Sequence, residues 1–363
     1  MKGHIPSLNG LRAISILMVI FYHLLQHHFL PDNTFTRLAG HLLFNGQLGV
    51  NIFFVISGFL ITSLLMREKA YTGGISLRKF YGRRAIRIFP AYYFLLLVYF
   101  ILQLLGFIHL SGQNWFSCLT YTRQFFPDSS YETSHLWSMS VEEVFYLIWP
   151  LLFMLLAKRV TPVSWVLILI VTIARIFQYA YPVPGLNNTI MSTGDALLVG
   201  CLFAIHNDKI KSWVLRYKKW YILIFPALAI AVLIYSYFFY LNTASSKPAA
   251  DVLYRMQSLA YAFVGNIGLI TNLLIGLFIV ISINIAHSLW YRFLNLRPME
   301  IIGRLSYSLY LWQQIFTSGK VHFYHNSFFL VMITIFGAAA ISYYLIERPF
   351  FKLKSKFGFI EAN

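Results

Sequence analysis

The sequence predicts an all-α fold: a polytopic membrane bundle of about ten transmembrane helices, with both termini cytoplasmic. Three observations carry that prediction. Of the 363 residues, 58% are hydrophobic and only 11% are charged, whereas a soluble domain carries about 25% charged residues. So few charges cannot cover a water-facing surface of this size, which leaves lipid as the outer solvent. The apolar residues gather in stretches of membrane length. The basic residues, which outweigh the acidic ones 29 to 12, gather in alternate loops.

The apolar stretches fall at about 11–30, 46–66, 88–108, 139–157, 162–180, 190–206, 220–240, 264–286, 299–317 and 328–346. Each is about 17–23 residues long, enough to cross a hydrocarbon core of about 30 Å. The fourth and fifth are separated only by Lys158, Arg159 and a few neighbours, which predicts a tight helical hairpin. The first follows Lys2 as a signal peptide would. No small-residue cleavage site follows it, and it contains His23, His27 and His28, so it is expected to stay as the first helix. No repeat, low-complexity stretch or composition shift divides the chain, which reads as a single domain over 1–363. Cys118 and Cys201 lie in separate segments and predict neither a disulfide framework nor a metal site. The 18% of aromatic residues, with 34 Phe and 24 Tyr, suits belts at the two bilayer interfaces.

Ten crossings place one set of loops on one side. These hold Lys2; Arg67, Lys69, Arg78, Lys79, Arg83, Arg84 and Arg87; Lys158 and Arg159; Lys209, Lys211, Arg216, Lys218 and Lys219; Arg292 and Arg297; and Arg348, Lys352, Lys354 and Lys356. That is roughly 21 basic residues, against roughly five (Arg37, Arg123, Lys247, Arg255 and Lys320) on the other side. The crowded side is read as cytoplasmic. The formal charge of +17 is then membrane topology, and no nucleic-acid partner is needed to explain it.

Ionisable residues at membrane depth are costly and mark candidate sites. Arg12 and His23 are eleven residues apart, which on a helix is only about 20° beyond three full turns. They share a face, about 16 Å apart along the axis, and His27 continues the stripe. A histidine bonded to a neighbouring helix is the plain alternative for His23. Arg83, Arg84 and Arg87 lie within about one turn and could hold an anion with several phosphate oxygens. The plain alternative is a topology anchor against anionic lipid. Glu142 and Glu143 open the fourth stretch and diverge by about 100°, so only one readily faces a given partner. A capping role with Ser138 or Ser140 is the alternative. Asp195 is a further acid near a helix end. Ser306, Tyr307, Tyr310, Gln313 and Gln314 form a polar stripe that helix–helix hydrogen bonding would also explain.

These residues resemble the acyltransferase 3 family of membrane O-acyltransferases, which acylate cell-surface sugars in bacteria. The resemblance covers nearly the whole chain. It begins at Leu8-Asn9-Gly10-Leu11-Arg12-Ala13 with the spaced Arg12 and His23, and continues through Gly49-Val50-Asn51-Ile52-Phe53-Phe54-Val55-Ile56-Ser57-Gly58-Phe59. The Arg84/Arg87 pair and Trp137-Ser138-Met139-Ser140-Val141-Glu142-Glu143 follow, then Gly303-Arg304-Leu305-Ser306-Tyr307-Ser308-Leu309-Tyr310-Leu311-Trp312 and Glu347-Arg348-Pro349-Phe350. The family often has Asp where Asn51 stands, His where Gln313 stands, and Arg where Gly194 precedes Asp195.

The resemblance implies transfer of an acyl group, most often acetyl, from a cytoplasmic coenzyme A thioester to a saccharide hydroxyl, in the bacterial inner (plasma) membrane. Acetyl-CoA or another acyl-CoA would be the donor, with no metal. Arg83, Arg84 and Arg87 would bind its phosphates. His23 would be general base or acyl carrier, with Arg12 on the donor or the developing oxyanion. Glu142, or Glu143 in its place, would orient His23. Asp195, Tyr307 and Tyr310 are candidate substrate-binding residues. Some relatives carry a further hydrolase-like domain after the bundle; with the chain ending at Asn363, none is expected here. A transporter or flippase of lipid-linked sugars is the rival reading, since it too would use a polar path through the bilayer.

Overall fold

The computed structural model describes residues 5–31, 43–126, 130–180, 188–217, 260–265, 268–286, 288–318 and 327–356, with scattered residues between 33 and 40 and between 227 and 234. Among these the chain is helical throughout, with no strand. The elements in order are α1 (Leu8–Gln26), α2 (Gly46–Thr72), α3 (Leu77–Leu104), α4 (Gly112–Leu119), α5 (Tyr131–Ser134), α6 (Leu136–Leu156), α7 (Val160–Ala180), α8 (Ile190–Ile205), α9 (Asn207–Arg216), α10 (Leu269–Asn284), α11 (Leu289–Leu294), α12 (Arg297–Thr317), α13 (Phe328–Ile341) and α14 (Arg348–Lys356). A π-helical turn, Ser342–Glu347, joins the last two.

Among the described residues, six helical stretches are long and apolar enough to cross a membrane; one is the 49-residue stretch Tyr131–Tyr179 that contains the hairpin of α6 and α7. A seventh is reached if α8 and α9, bent by 76° at their junction, form one broken span. Nine of the ten expected stretches are occupied by helix. The expected seventh, 220–240, lies mostly outside the described residues, as do Lys2, Arg37, Lys218, Lys219, Lys247, Arg255 and Lys320. The expected hairpin forms through a single 3-10 turn, Ala157–Arg159.

Two boundaries differ from expectation, and both shape the site. α3 begins at Leu77, eleven residues before the apolar run, because Ser76 caps it by accepting from the Lys79 amide. Arg83, Arg84 and Arg87 therefore lie on the helix itself. α6 begins at Leu136, so Glu142 and Glu143 sit in its second turn and not at its head. Ser138 and Ser140 do not cap it: the Ser138 hydroxyl meets the Tyr310 hydroxyl at 2.6 Å, and Ser140 donates to the Tyr121 carbonyl.

Glycines set the closest helix crossings. A Cβ on Gly58 would lie 1.9 Å from the Leu197 carbonyl oxygen, and one on Gly200 would lie 2.1 Å from that of Val55. Only hydrogen fits where α2 crosses α8, as small residues permit in membrane bundles. Gly303 meets the Asn9 carbonyl in the same way, which seats α12 against the start of α1. Ser7, at φ 67°, turns the chain into α1. Two hydrogen bonds to Asn295 hold that left-handed turn: the Ser7 amide donates to Oδ1 and the Asn295 amide donates to the Ser7 hydroxyl.

Tyrosines of α3 fix the short helices that cap the bundle. Tyr92 donates to the Cys118 carbonyl at 2.8 Å and Tyr99 to the Glu132 carbonyl at 2.7 Å. The second bond places α5 over the far end of α1, beside His23.

Candidate functional site

The structure carries two polar centres at the two levels of α1. Around Arg12, helices α2, α3, α6 and α12 contribute a charged cluster. Around His23, helices α5, α6 and α12 close over a cavity of about 290 Å³.

In the charged cluster, Arg84 donates through Nη2 and Nε to Glu143 Oε1, at 3.0 and 3.2 Å. Its Nη2 lies 3.8 Å from Glu142 Oε2, and its guanidinium stacks over the Tyr146 ring. Ser57 donates to Glu142 Oε1 at 2.7 Å. Arg84 is thus consumed by the two acids. Arg87 and Arg12 are not: among the described residues neither makes a hydrogen bond or ion pair, and the Arg12 Nε is buried without a partner. Both lie in electrostatic range of Arg84, Glu142 and Tyr146, and of each other. Two guanidiniums that are not ion-paired, beside a neutralised third, form a cationic cluster, which suits a phosphate-bearing ligand.

At the other level, His23 Nδ1 lies 3.4 Å from the Tyr131 hydroxyl, which lies 3.0 Å from the Thr317 hydroxyl. Gln314 locks this arrangement, donating through Nε2 at 2.6 Å to both the Tyr131 carbonyl and the Ser134 hydroxyl. The half-buried His23 faces the cavity, and Tyr310 contributes to the same wall. A positioned imidazole beside a hydroxyl, facing a polar cavity, can take a proton from a bound hydroxyl group.

Of the residues singled out from the sequence, Arg12, Arg84, Arg87, Glu142 and Glu143 come together at one level, and His23 and Tyr310 at the other. Glu142 does not contact His23. It lies seven residues past His135, about 10 Å further along α6, and is bonded to Ser57. Arg83 points away from the cluster, to an ion pair with Glu68 at 2.6 Å. Tyr307 donates to the Ile88 carbonyl at 2.8 Å, in the wall of the charged cluster and not in the His23 cavity. Asp195 is fully buried: Arg175 of α7 donates to both its carboxylate oxygens, at 2.8 and 2.7 Å, and Asn272 donates at 3.0 Å. Asp195→Asn is expected to leave Arg175 as an uncompensated buried charge and to cost about 3–5 kcal/mol. A thermal melt in detergent reads this as a clear loss of stability; an unchanged melting temperature would refute the lock.

Tyr131, Gln314, His135 and Glu347 were not assigned a role from sequence. Gln314 was seen only as one residue of a polar stripe. Glu347 ends the π-helical turn, accepts a hydrogen bond from Ser308, and sits in electrostatic range of Arg87. The only sequence signal for it is the Glu347-Arg348-Pro349-Phe350 segment, whose proline cannot donate to a regular helix.

A multi-spanning helical membrane protein with an arginine cluster and a histidine cavity on one helix face is the class that fold and site define. The chain belongs to the acyltransferase 3 family: its residues 5–347 match the family's acyltransferase domain. It is 28% identical to the O-acetyltransferase OatA of Staphylococcus aureus strain NCTC 8325, an alignment covering 95% of this chain and 57% of that protein. It is 29% identical to the putative O-acetyltransferase SACOL0978 of Staphylococcus aureus strain COL, over 96% of this chain and 58% of the relative. The chain thus spans a little under three fifths of the length of these relatives. No solved structure matches it.

Proposed function

We propose that this chain is an O-acyltransferase of the bacterial inner membrane. It moves an acyl group, acetyl first among them, from a cytoplasmic acyl-CoA to a hydroxyl of a surface or lipid-linked saccharide. Ten crossings with both termini cytoplasmic put the Arg12 level on the donor side and the His23 level on the acceptor side. The observation that carries the reading is that Arg12 and His23 lie on one face of α1, so that a recess for phosphate and a cavity for hydroxyl chemistry open along one helix. The named relatives are O-acetyltransferases, which supports acetyl as the group transferred.

In this reading Arg87 and Arg12 hold the donor phosphates, and the acyl-bearing arm runs along α1 toward His23. Arg84, already neutralised by Glu143 and Glu142, shapes the recess. His23 Nε2 or Nδ1 takes the proton of the acceptor hydroxyl as its oxygen attacks the thioester carbonyl. The C–O bond forms, the C–S bond breaks, and the coenzyme A thiolate takes the proton back from the imidazolium, so the ring is regenerated. In the variant in which His23 first accepts the acyl group, its nitrogen attacks the thioester carbonyl, the C–S bond breaks and the thiolate takes the ring N–H proton; the acceptor oxygen then attacks the acyl-imidazole, the C–N bond breaks, and the acceptor's proton returns to the ring.

The test is thiol release from acetyl-CoA by protein purified into nanodiscs, followed with and without a saccharide acceptor, with mass spectrometry of the product. Thiol release matched by an acylated saccharide is the expected result. An absence of thioester cleavage under all conditions, with saccharide moving across the bilayer instead, would put a flippase in its place.

A further inference from the structure

His135 has no part in the chemistry above, yet it is the least satisfied group in the His23 cavity. It is 4% exposed, and among the described residues neither ring nitrogen makes a hydrogen bond of regular geometry. It lines the same cavity as His23 and lies in electrostatic range of it. An unmade hydrogen bond on a buried polar group is costly, and native structures keep such groups where something else will satisfy them. The backbone beneath the ring is held in place, and the ring has an aromatic neighbour. Its own carbonyl is pinned by the Tyr310 hydroxyl at 2.9 Å and by the Ser138 hydroxyl at 3.2 Å, and its ring packs 5.5 Å from that of Tyr310. The Leu311 carbonyl approaches the ring closely enough to act on it, without the geometry of a regular hydrogen bond. That oxygen favours the tautomer with N–H toward it, so the other nitrogen keeps its lone pair.

A second orphan lines the cavity. Gln314 spends its amide nitrogen on Tyr131 and Ser134, and its carbonyl oxygen Oε1 is buried without a donor. The cavity therefore offers two fixed, uncharged hydrogen-bond acceptors. A ligand that satisfies both must bring two donors into a cavity that Arg123 also lines. Vicinal hydroxyls of a sugar ring have that chemistry; a carboxylate or phosphate, which only accepts, does not.

We propose that His135, with Gln314 Oε1, binds a hydroxyl pair of the saccharide acceptor next to the hydroxyl that His23 deprotonates, and so sets which position is acylated. The proposal rests on the reading of the chain as an acyltransferase with a hydroxyl acceptor. His135 is then a substrate-binding residue of the cavity.

His135→Phe tests this, because phenylalanine keeps the ring and removes both orphan nitrogens. The protein should melt at the wild-type temperature or above it, since an apolar group of the same shape replaces an unsatisfied polar one. Transfer from acetyl-CoA to p-nitrophenyl glucoside should lose about tenfold or more in kcat/KM for the sugar, at unchanged KM for acetyl-CoA. The mono-deoxy glucosides supply the specific readout: one of them should be penalised in wild type and not in His135→Phe. A donor-free measurement runs beside these. Excess glucoside should raise the melting temperature of wild type and not that of the variant. A variant that melts lower and transfers at the wild-type rate, or that loses equally against every deoxy sugar, overturns the proposal. Failure of wild type to cleave acetyl-CoA overturns the acyltransferase reading instead, while the sugar-induced melting shift still reports on His135.

Discussion

Replacing His23 with alanine is expected to lower acyl transfer by about 10²–10⁴-fold, the usual contribution of a positioned general base, while the protein still folds. The half-buried ring faces a cavity, and its contacts are the 3.4 Å approach to Tyr131, the Tyr22 ring edge and Gln26, so its loss leaves the helix packing in place. The experiment compares thiol release from acetyl-CoA in the presence of acceptor for wild type and His23→Ala, with a melting curve as the control for folding. His23→Gln should be as inactive as alanine, because it can hydrogen-bond Tyr131 but cannot carry a proton. Tyr131→Phe should fall between, since it frees the ring without removing it. A His23→Ala enzyme within a few-fold of wild type would take His23 out of the chemistry.

Arg87→Ala is expected to raise the KM for acetyl-CoA by about ten- to a hundredfold, because a hydrogen bond to a charged group contributes about 1.5–3 kcal/mol. Arg87 is the informative arginine. Arg84 is bonded to Glu143, so its removal strands an acid and confounds binding with stability. Arg83 is bonded to Glu68 on another side of α3. Arg87 breaks no pair when it is removed, so the KM for the acceptor and the melting temperature should hold. Lysine should rescue only in part, since it supplies charge without the planar fork. Calorimetry with coenzyme A gives the same answer without turnover. An Arg87→Ala protein that binds coenzyme A as wild type does would reduce the cluster to a topology anchor.

The amino-acid sequence by itself determined the solvent, the element type and the first-helix pair. A chain with 11% charged residues can only be covered by lipid, and backbone in lipid must satisfy its hydrogen bonds within helices. The spacing of Arg12 and His23 is local and obeys the helical period, so their shared face follows without any knowledge of neighbours. The hairpin at Lys158 and Arg159 is legible for the same reason.

Everything that depends on which helix faces which was decided by tertiary structure. Three arginines within a turn look equivalent in sequence; distant acids separate them, with Glu68 taking Arg83, Glu143 taking Arg84, and Arg87 without an ion pair among the described residues. Glu142 lies in the second turn of α6 because the helix starts at Leu136, where Tyr310 of α12 donates to the His135 carbonyl, and not at a serine cap. Asp195 looked available until Arg175, twenty residues earlier in the chain, closed on it. Tyr131 meets His23 across 108 residues, and Gln314 holds Tyr131 across 183. Local periodicity carries no information about contacts of that separation. They follow from the glycine crossings, where backbones approach closely enough to bring α12, α1 and α2 into one register around the cavity.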